Sequence, residues 1–241
     1  APYTPSAPLT VDFLPAPPKI AILIDDLGYN RAGMDASLRL PNEVALAILP
    51  HTPFAKKTAR AAQLTQRVIL LHAPMENELA LRLGPGGLYA SMDKPQLMAA
   101  LREDLLATPN VLGMNNHMGS LLTQKTPMMQ WVMEVLAEQG LFFIDSLTSP
   151  ASVALTEARR FGIPSNKRDI FLDNVATQQA IDKQFQRLLR VARKQGYALA
   201  IGHPYPQTMH YLQQRLASVA QDGFELVPIT QILTTVTAPE L

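Results

Sequence analysis

Short, nearly continuous apolar runs alternate along the chain with longer segments in which apolar residues recur at helical spacing. Runs of the first kind are typical of parallel strands that are covered on both faces. The longer segments carry one apolar face, as Ile181, Phe185 and Leu188 illustrate, and this is the pattern of surface helices. The runs predict strands at 19–25, 44–49, 67–71, 111–115, 141–145, roughly 163–168, 197–202 and 224–228.

The regular alternation of strand and helix predicts repeated βα units joined by right-handed crossovers around a parallel sheet. Seven or eight such units favour a closed or nearly closed barrel over an open sheet. A length of 241 residues is suitable for one domain of this kind. We therefore expect an α/β fold, a single distorted (β/α) barrel of seven or eight strands, over residues 19–241.

The first 18 residues differ in composition from the rest, because they hold six of the chain's 20 prolines. Proline disfavours helix, and the segment has little apolar surface to bury. We interpret residues 1–18 as an extended Pro-rich tail. A start at Ala1 fits a periplasmic or otherwise exported protein whose signal segment has been removed, although a cloning boundary would give the same pattern.

Composition narrows the functional class. The 21 basic and 20 acidic residues nearly balance, so nothing indicates a nucleic-acid partner. No apolar stretch is long enough for a transmembrane segment. The chain contains no cysteine, which excludes thiolate ligands, thiol nucleophiles and disulfides.

Acids and imidazoles follow several of the predicted strands. In a parallel sheet the carboxyl ends of all strands meet at one edge, where the sites of α/β proteins are built. Carboxylates and imidazoles that converge there indicate a metal-assisted hydrolase. The residues at these strand ends are Asp25, Asp26, His72, His117, Asp145 and His203.

The aspartates among these candidates also have a structural interpretation. Adjacent aspartates could supply one metal ligand and one base, but a single aspartate at this position often only caps a turn. His203 could protonate a leaving amine, with Asp145 as an orienting acid. Asp145 could instead form an ion pair with Arg168 or Lys167.

The segment 72–92 is much longer than an ordinary βα loop, and it leaves the same edge of the sheet. We expect it to form a wall or lid of a cleft. Glu76, within this segment, could be a further metal ligand or an acid that stabilises the loop. His51 follows another strand and is expected at the rim of the site.

These motifs resemble those of the polysaccharide deacetylase superfamily, the NodB-like carbohydrate esterases. The likeness is strongest to its outlying branch, the divergent polysaccharide deacetylase family of bacterial envelope proteins, and it extends from residue 19 to about 235. The segments that carry it are 24–28, 71–76, 116–119, 143–146 and 201–204.

The resemblance implies roles for individual residues. Asp25 corresponds to the catalytic base and Asp26 to a metal ligand, while His72 is the first metal histidine and His203 the catalytic acid. Glu76 stands where the superfamily has its second metal histidine, so His117 is the expected substitute ligand. The arginine that usually orients the base is missing.

The resemblance thus implies a divalent metal, with zinc favoured, held by Asp26, His72 and His117. An oxygen and two imidazoles suit zinc, nickel or cobalt better than magnesium. The implied activity is removal of N-acetyl groups from an envelope polysaccharide or a peptidoglycan-type glycan. Two alternatives stay open: a non-catalytic glycan-binding or scaffolding protein on the same fold, and a hydrolase of another amide or ester.

Overall fold

A computed structural model describes residues 16–235 of the chain. Residues 1–15, most of the predicted Pro-rich tail, therefore lie outside the described residues. The described part contains a curled parallel sheet with helices packed on its outer face, which confirms the predicted α/β fold. Its strands are β1 Lys19–Leu27, β2 Ala45–Ile48, β3 Ile69–Met75, β4 Gly113–Met118, β5 Phe142–Asp145, β6 Ser165–Lys167, β7 Ile170–Phe171, β8 Tyr197–Gly202 and β9 Glu225–Leu226.

The sheet order is β6-β5-β4-β3-β2-β1-β8-β7, with β9 paired to the start of β1. The strands β6 and β7 lie at opposite ends of this order, so the barrel is distorted by a gap between them. The predicted strand at 163–168 covers β6, whereas β7 is too short to predict from its apolar residues. Arg168 and Asp169 cross the gap, donating backbone N–H groups to the carbonyls of Asp145 on β5 and Leu199 on β8.

Local sequence features set several helix ends. Asp93 and Gln96 form a capping box at the start of a helix, and Gly140 and Gly196 end two others with left-handed backbone. Within residues 16–235, no helix has both the length and the apolar character that crossing a membrane requires. The helices are α1 Arg31–Leu38, α2 Ala55–Leu64, α3 Lys94–Ala107, α4 Thr126–Gln139, α5 Ala154–Arg160, α6 Gln178–Gln195 and α7 Pro206–Arg215.

The strands alternate between two buried layers. In β1, Ile20 and Ile22 pack in the layer shared with the helices, whereas Ala21 and Leu23 belong to the interior of the curled sheet. Because successive side chains of a strand point to opposite faces, this alternation decides which strand-end residues face inwards. The interior layer includes Ala45, Ala47, Leu70, Phe142, Ile144, Leu199 and Ile201.

Candidate metal centre

Asp26, His72 and His117 meet at the carboxyl ends of β1, β3 and β4. Asp26 Oδ1 lies 3.1 Å from His72 Nε2 and 2.8 Å from His117 Nδ1. The two imidazole nitrogens are 3.2 Å apart. Within residues 16–235, this is the group of acids and imidazoles whose ligand atoms are close enough to share one metal ion.

Local backbone distortion brings Asp26 into this group. Asp25 has the same parity in β1 as the interior residue Leu23, so a regular strand would point Asp26 towards the helices. Instead, the pairing of β1 with β2 slips between Ile24 and Leu27, and Asp26 has a left-handed φ of 57°. A slip of this kind re-aims a side chain, so that both adjacent carboxylates reach the site.

Hydrogen bonds set the orientation of His72, which is buried. Its Nδ1 lies 2.8 Å from Asn115 Oδ1, while the Asn115 amide nitrogen donates to Asp25 Oδ1 at 2.9 Å. An amide oxygen only accepts, so Nδ1 of His72 carries a proton, and Nε2 is the nitrogen that offers a lone pair to the site when the ring is neutral. An outer hydrogen bond of this kind is usual for histidines that ligate metals.

The donor atoms fit a small divalent ion. Ligands about 2.0–2.1 Å from a tetrahedral zinc ion lie roughly 3.3 Å from one another, and the donor atoms here are separated by 2.8–3.2 Å. Three protein ligands are also the usual number in catalytic zinc sites, which keep one position open. Asp26, His72 and His117 are therefore suited to hold such an ion.

Ionisation in the cluster is strongly coupled. Burial works against the charged form of Asp26, but hydrogen bonds from His117 and His72 hold the pKa of Asp26 well below its usual value. Burial likewise opposes protonation of His72, yet the charges of Asp25 and Asp26 raise the pKa of that imidazole. Asp26 is thus held as a carboxylate, the form that binds metal.

Asp25 lies beside the cluster without being part of it. Its Oδ2 is 3.6 Å from His72 Nε2, and its side chain is almost fully buried. Burial raises the pKa of Asp25, although the charges of His72 and His203 and the hydrogen bond from Asn115 oppose this effect. Raised basicity next to a water-accessible cluster suits a general base.

His203 reaches the site from the end of β8. Its Nε2 lies 3.8 Å from Asp26 Oδ2, and its Nδ1 is 2.8 Å from Asp173 Oδ1. The other oxygen of Asp173 accepts hydrogen bonds from the backbone N–H of His203 and the hydroxyl of Thr208. Asp173 therefore fixes the ring so that Nε2 points towards the cluster.

The orienting acid of His203 is thus Asp173 and not Asp145, which corrects the sequence prediction. Asp145 has the same strand parity as Phe143, which packs in the outer layer. Its carboxylate accepts hydrogen bonds from the backbone of Leu147 and the hydroxyl of Ser152, each at 2.8 Å. Burial raises the pKa of Asp145, and its contacts are those of a structural residue that holds the β5–α5 loop.

Glu76 is likewise engaged in the loop and stands apart from the metal cluster. Its carboxylate accepts a hydrogen bond from the backbone of Ala90, and its backbone N–H donates to the carbonyl of Leu88 at 2.9 Å. Of its two predicted roles, these contacts favour the loop-stabilising acid. His51 pairs with the buried Asp104 at 2.8 Å, away from the cluster.

The cluster opens into a cavity of about 770 Å³, a volume within the range of small-ligand sites. Asp26 and His117 line this cavity. Part of the long segment 72–92 also lines it, in agreement with its expected role as a wall. The residues from this segment that line the cavity are Arg82, Leu83, Gly84, Pro85 and Tyr89.

The environment of His203 predicts a pH dependence of stability in metal-free protein. Burial disfavours its charged form, but Asp173, Asp25 and Asp26 together raise the pKa of His203 from 6.5 to about 9. The folded state therefore binds the proton more tightly than the unfolded state, and this stabilisation is present below pH 6.5 and lost as the pH rises through 9. The loss should be on the order of 3 kcal/mol.

Urea unfolding in the presence of a chelator, at pH 6 and pH 9.5, measures this effect. The free energy of unfolding should fall less with pH in a His203→Gln variant than in the wild type. A His210→Gln variant is the matched control, because His210 is an exposed histidine on α7. Equal pH dependence in wild type and His203→Gln would contradict the assignment.

The chain belongs to the divergent polysaccharide deacetylase family. The sequence model of that family matches residues 22–233, a span that includes every residue of the cluster. The chain is also 37% identical over 217 residues to an uncharacterised protein of Haemophilus influenzae, a match that covers 90% of this chain and 78% of the relative. The resemblance inferred from the motifs is therefore confirmed at the level of the family.

Solved structures show the same fold. An uncharacterised protein of Agrobacterium tumefaciens superposes with a TM-score of 0.86 at 23% identity, covering 90% of this chain and 89% of that one. The catalytic domain of a peptidoglycan N-acetylglucosamine deacetylase from Eubacterium rectale gives a TM-score of 0.53 at 10% identity, covering 95% and 96%. A CE4 family pseudoenzyme from Bacillus anthracis gives 0.51 at 13%, covering 91% and 66%. Because both an enzyme and a pseudoenzyme share this fold, activity must be argued from the site.

Proposed function

We propose that this protein is a metal-dependent hydrolase that removes N-acetyl groups from a glycan of the bacterial envelope. The observation that carries the proposal is the cluster of Asp26, His72 and His117, whose three donor atoms face one another within 3.2 Å. Membership of a polysaccharide deacetylase family supports a glycan as the substrate. Envelope glycans lie outside the cytoplasm, so the proposal also places the protein in the periplasm or at another exported location.

The metal centre consists of Asp26, His72 and His117, with zinc as the favoured ion. A divalent ion held there supplies Lewis-acid activation of water and of the acetyl carbonyl. Asn115 positions two of the participating side chains at once, since its amide contacts both His72 and Asp25. The buried amide of Asn115 thereby fixes the metal-binding nitrogen of His72 and the carboxylate of Asp25 relative to each other.

Asp25 is the proposed base. It accepts the proton of the attacking water as the oxygen adds to the acetyl carbon. Its position beside the cluster, 3.6 Å from His72 Nε2, suits a residue that contacts the nucleophile without ligating the ion. The raised pKa of its buried carboxyl makes proton uptake more favourable than at an exposed aspartate.

His203 is the proposed acid. With Nδ1 hydrogen-bonded to Asp173, its Nε2 is the atom that delivers a proton to the departing amine. The C–N bond then breaks, leaving acetate and a free amino sugar. Asp173 acts through His203 and is a positioning residue.

The direct test is to incubate the purified, zinc-loaded protein with N-acetylglucosamine oligomers and with peptidoglycan fragments. Mass spectrometry should detect a loss of about 42 Da for each acetyl group removed, and chelation should abolish the reaction. If glycans bind but no acetyl group is lost from any of them, the non-catalytic glycan-binding alternative is favoured. If only other amides or esters are cleaved, the substrate class is wrong.

A further inference from the structure

Arg82 lies in the wall of the cavity into which the metal centre opens. Its side chain is exposed and lines the same cavity as Asp26 and His117. Within residues 16–235, no carboxylate lies within 4 Å of its guanidinium, in contrast to the paired Arg31 and Arg102. The cavity therefore contains a fixed positive charge that the described protein leaves uncompensated.

The backbone around Arg82 is held in place from both sides. Before it, the buried amide of Asn77 accepts a hydrogen bond from the N–H of Leu81 at 2.9 Å and donates to the Leu81 carbonyl at 3.0 Å. After it, the N–H of Leu88 donates to the carbonyl of Pro74 on β3 at 2.8 Å. Arg82 is thus presented by an anchored segment, and binding through it would require little ordering of the loop.

Two tyrosines complete the wall. Tyr29 is 50% exposed and Tyr89 is 38% exposed, and both line the cavity. The hydroxyl of Tyr29 approaches the wall at Gly84, 2.7 Å from where a Cβ would lie, and the φ of +84° at this position favours glycine. Half-exposed rings of this kind offer apolar faces against which a sugar ring can pack.

We propose that Arg82 binds a carboxylate on a sugar next to the one that loses its acetyl group, so that the substrate is an acidic glycan. This inference rests on the proposed function and adds the substrate's charge to it. Arg82 is the one arginine or lysine among the described residues that line the cavity. A single planar guanidinium matches one carboxylate through two parallel hydrogen bonds.

The test compares two tetrasaccharides from peptidoglycan, one with free lactyl carboxylates on its muramic acids and one with those groups converted to methyl amides. Wild-type protein should use the acidic form with a kcat/KM higher by about 10–100-fold, the usual effect of a charge-assisted hydrogen bond. Arg82→Gln should lower the kcat/KM for the acidic form to that for the amide form. The kcat/KM for the amide form should change much less than that for the acidic form.

Arg190→Gln is the matched control, since Arg190 is an exposed arginine on α6, outside the cavity lining. Calorimetric titration of both glycans measures the same preference in binding. Equal use of the two glycans by the wild type, or an equal loss on both in Arg82→Gln, overturns the role of Arg82. Binding preference without turnover supports Arg82 and overturns the hydrolase, whereas absence of binding and turnover overturns both.

Discussion

Zinc is expected to raise the melting temperature of the wild-type protein by roughly 10 °C, and His117→Ala is expected to remove most of that rise. A ligand present at about 1,000 times its Kd stabilises the native state by about 4 kcal/mol, and each kcal/mol shifts the melting temperature of a chain of this size by about 2–4 °C. Without His117 the cluster keeps only Asp26 and His72. Differential scanning fluorimetry with and without zinc measures the shift.

His117 is a better choice for this experiment than His72. The side chain of His117 is 16% exposed and that of His72 only 2%. Replacing His72 by alanine would leave a cavity and would deprive the buried Asp25 and the partly exposed Asp26 of their imidazole, so that a change in fold and a loss of metal would be confused. His210→Ala controls for loss of an imidazole that lies outside the cluster.

Glu76→Ala tests the alternative ligand that the sequence left open. This variant should keep the zinc-induced rise, because Glu76 contacts Ala90 in the loop. Its melting temperature without zinc should fall slightly as that contact is lost. Loss of zinc stabilisation in Glu76→Ala, with full stabilisation in His117→Ala, would instead assign the third ligand to Glu76.

Much of the site can be predicted because its acids and imidazoles directly follow the apolar runs of the strands. The edge at which parallel strands end is common to all of them, so Asp25, His72, His117 and His203 could be placed together from the runs that precede them. The alternation of side chains between the two faces of a strand would have improved the prediction further. Asp145 shares its parity with Phe143 in the outer layer, so it could have been set apart from the four inward-facing residues.

Other features depend on backbone geometry that the pattern of residues does not specify. A regular strand would have separated Asp25 from Asp26, and only the left-handed φ of Asp26 brings both carboxylates to the site. Asp173 was missed because β7, which precedes it, has only two residues. Its pairing with His203 is visible only once β7 lies beside β8.

The gap between β6 and β7 also depends on backbone geometry that the pattern of residues does not specify. The sequence offers Arg168 as an ion-pair partner for Asp145, but its guanidinium donates to the carbonyl oxygens of Ser146 and Leu147 at 2.8 and 2.9 Å. These bonds hold the chain where it passes from one edge of the sheet to the other. Composition alone cannot distinguish an arginine that binds carbonyls from one that pairs with an acid.

Asp25→Asn should reduce deacetylation by about 10²–10⁴-fold, the usual contribution of a general base, while zinc binding is retained. The amide keeps the shape of the side chain, and its oxygen can still accept the hydrogen bond from Asn115. Because burial disfavours the charged form of Asp25, a neutral amide should not lower the free energy of unfolding. Measured together, kcat, the zinc content and urea unfolding separate these effects.

Asp145→Asn provides the matched control, since Asp145 is also a buried strand-end aspartate but contacts Leu147 and Ser152 in the β5–α5 loop. It should keep kcat within a few-fold of the wild type and lose stability instead, because an amide cannot accept both hydrogen bonds as well as a carboxylate does. If Asp145→Asn lost activity as severely as Asp25→Asn while both proteins remained folded and zinc-loaded, the base could not be assigned to Asp25. If Asp25→Asn stayed fully active, the proton would have to be accepted elsewhere, and His203 would be the next residue to test.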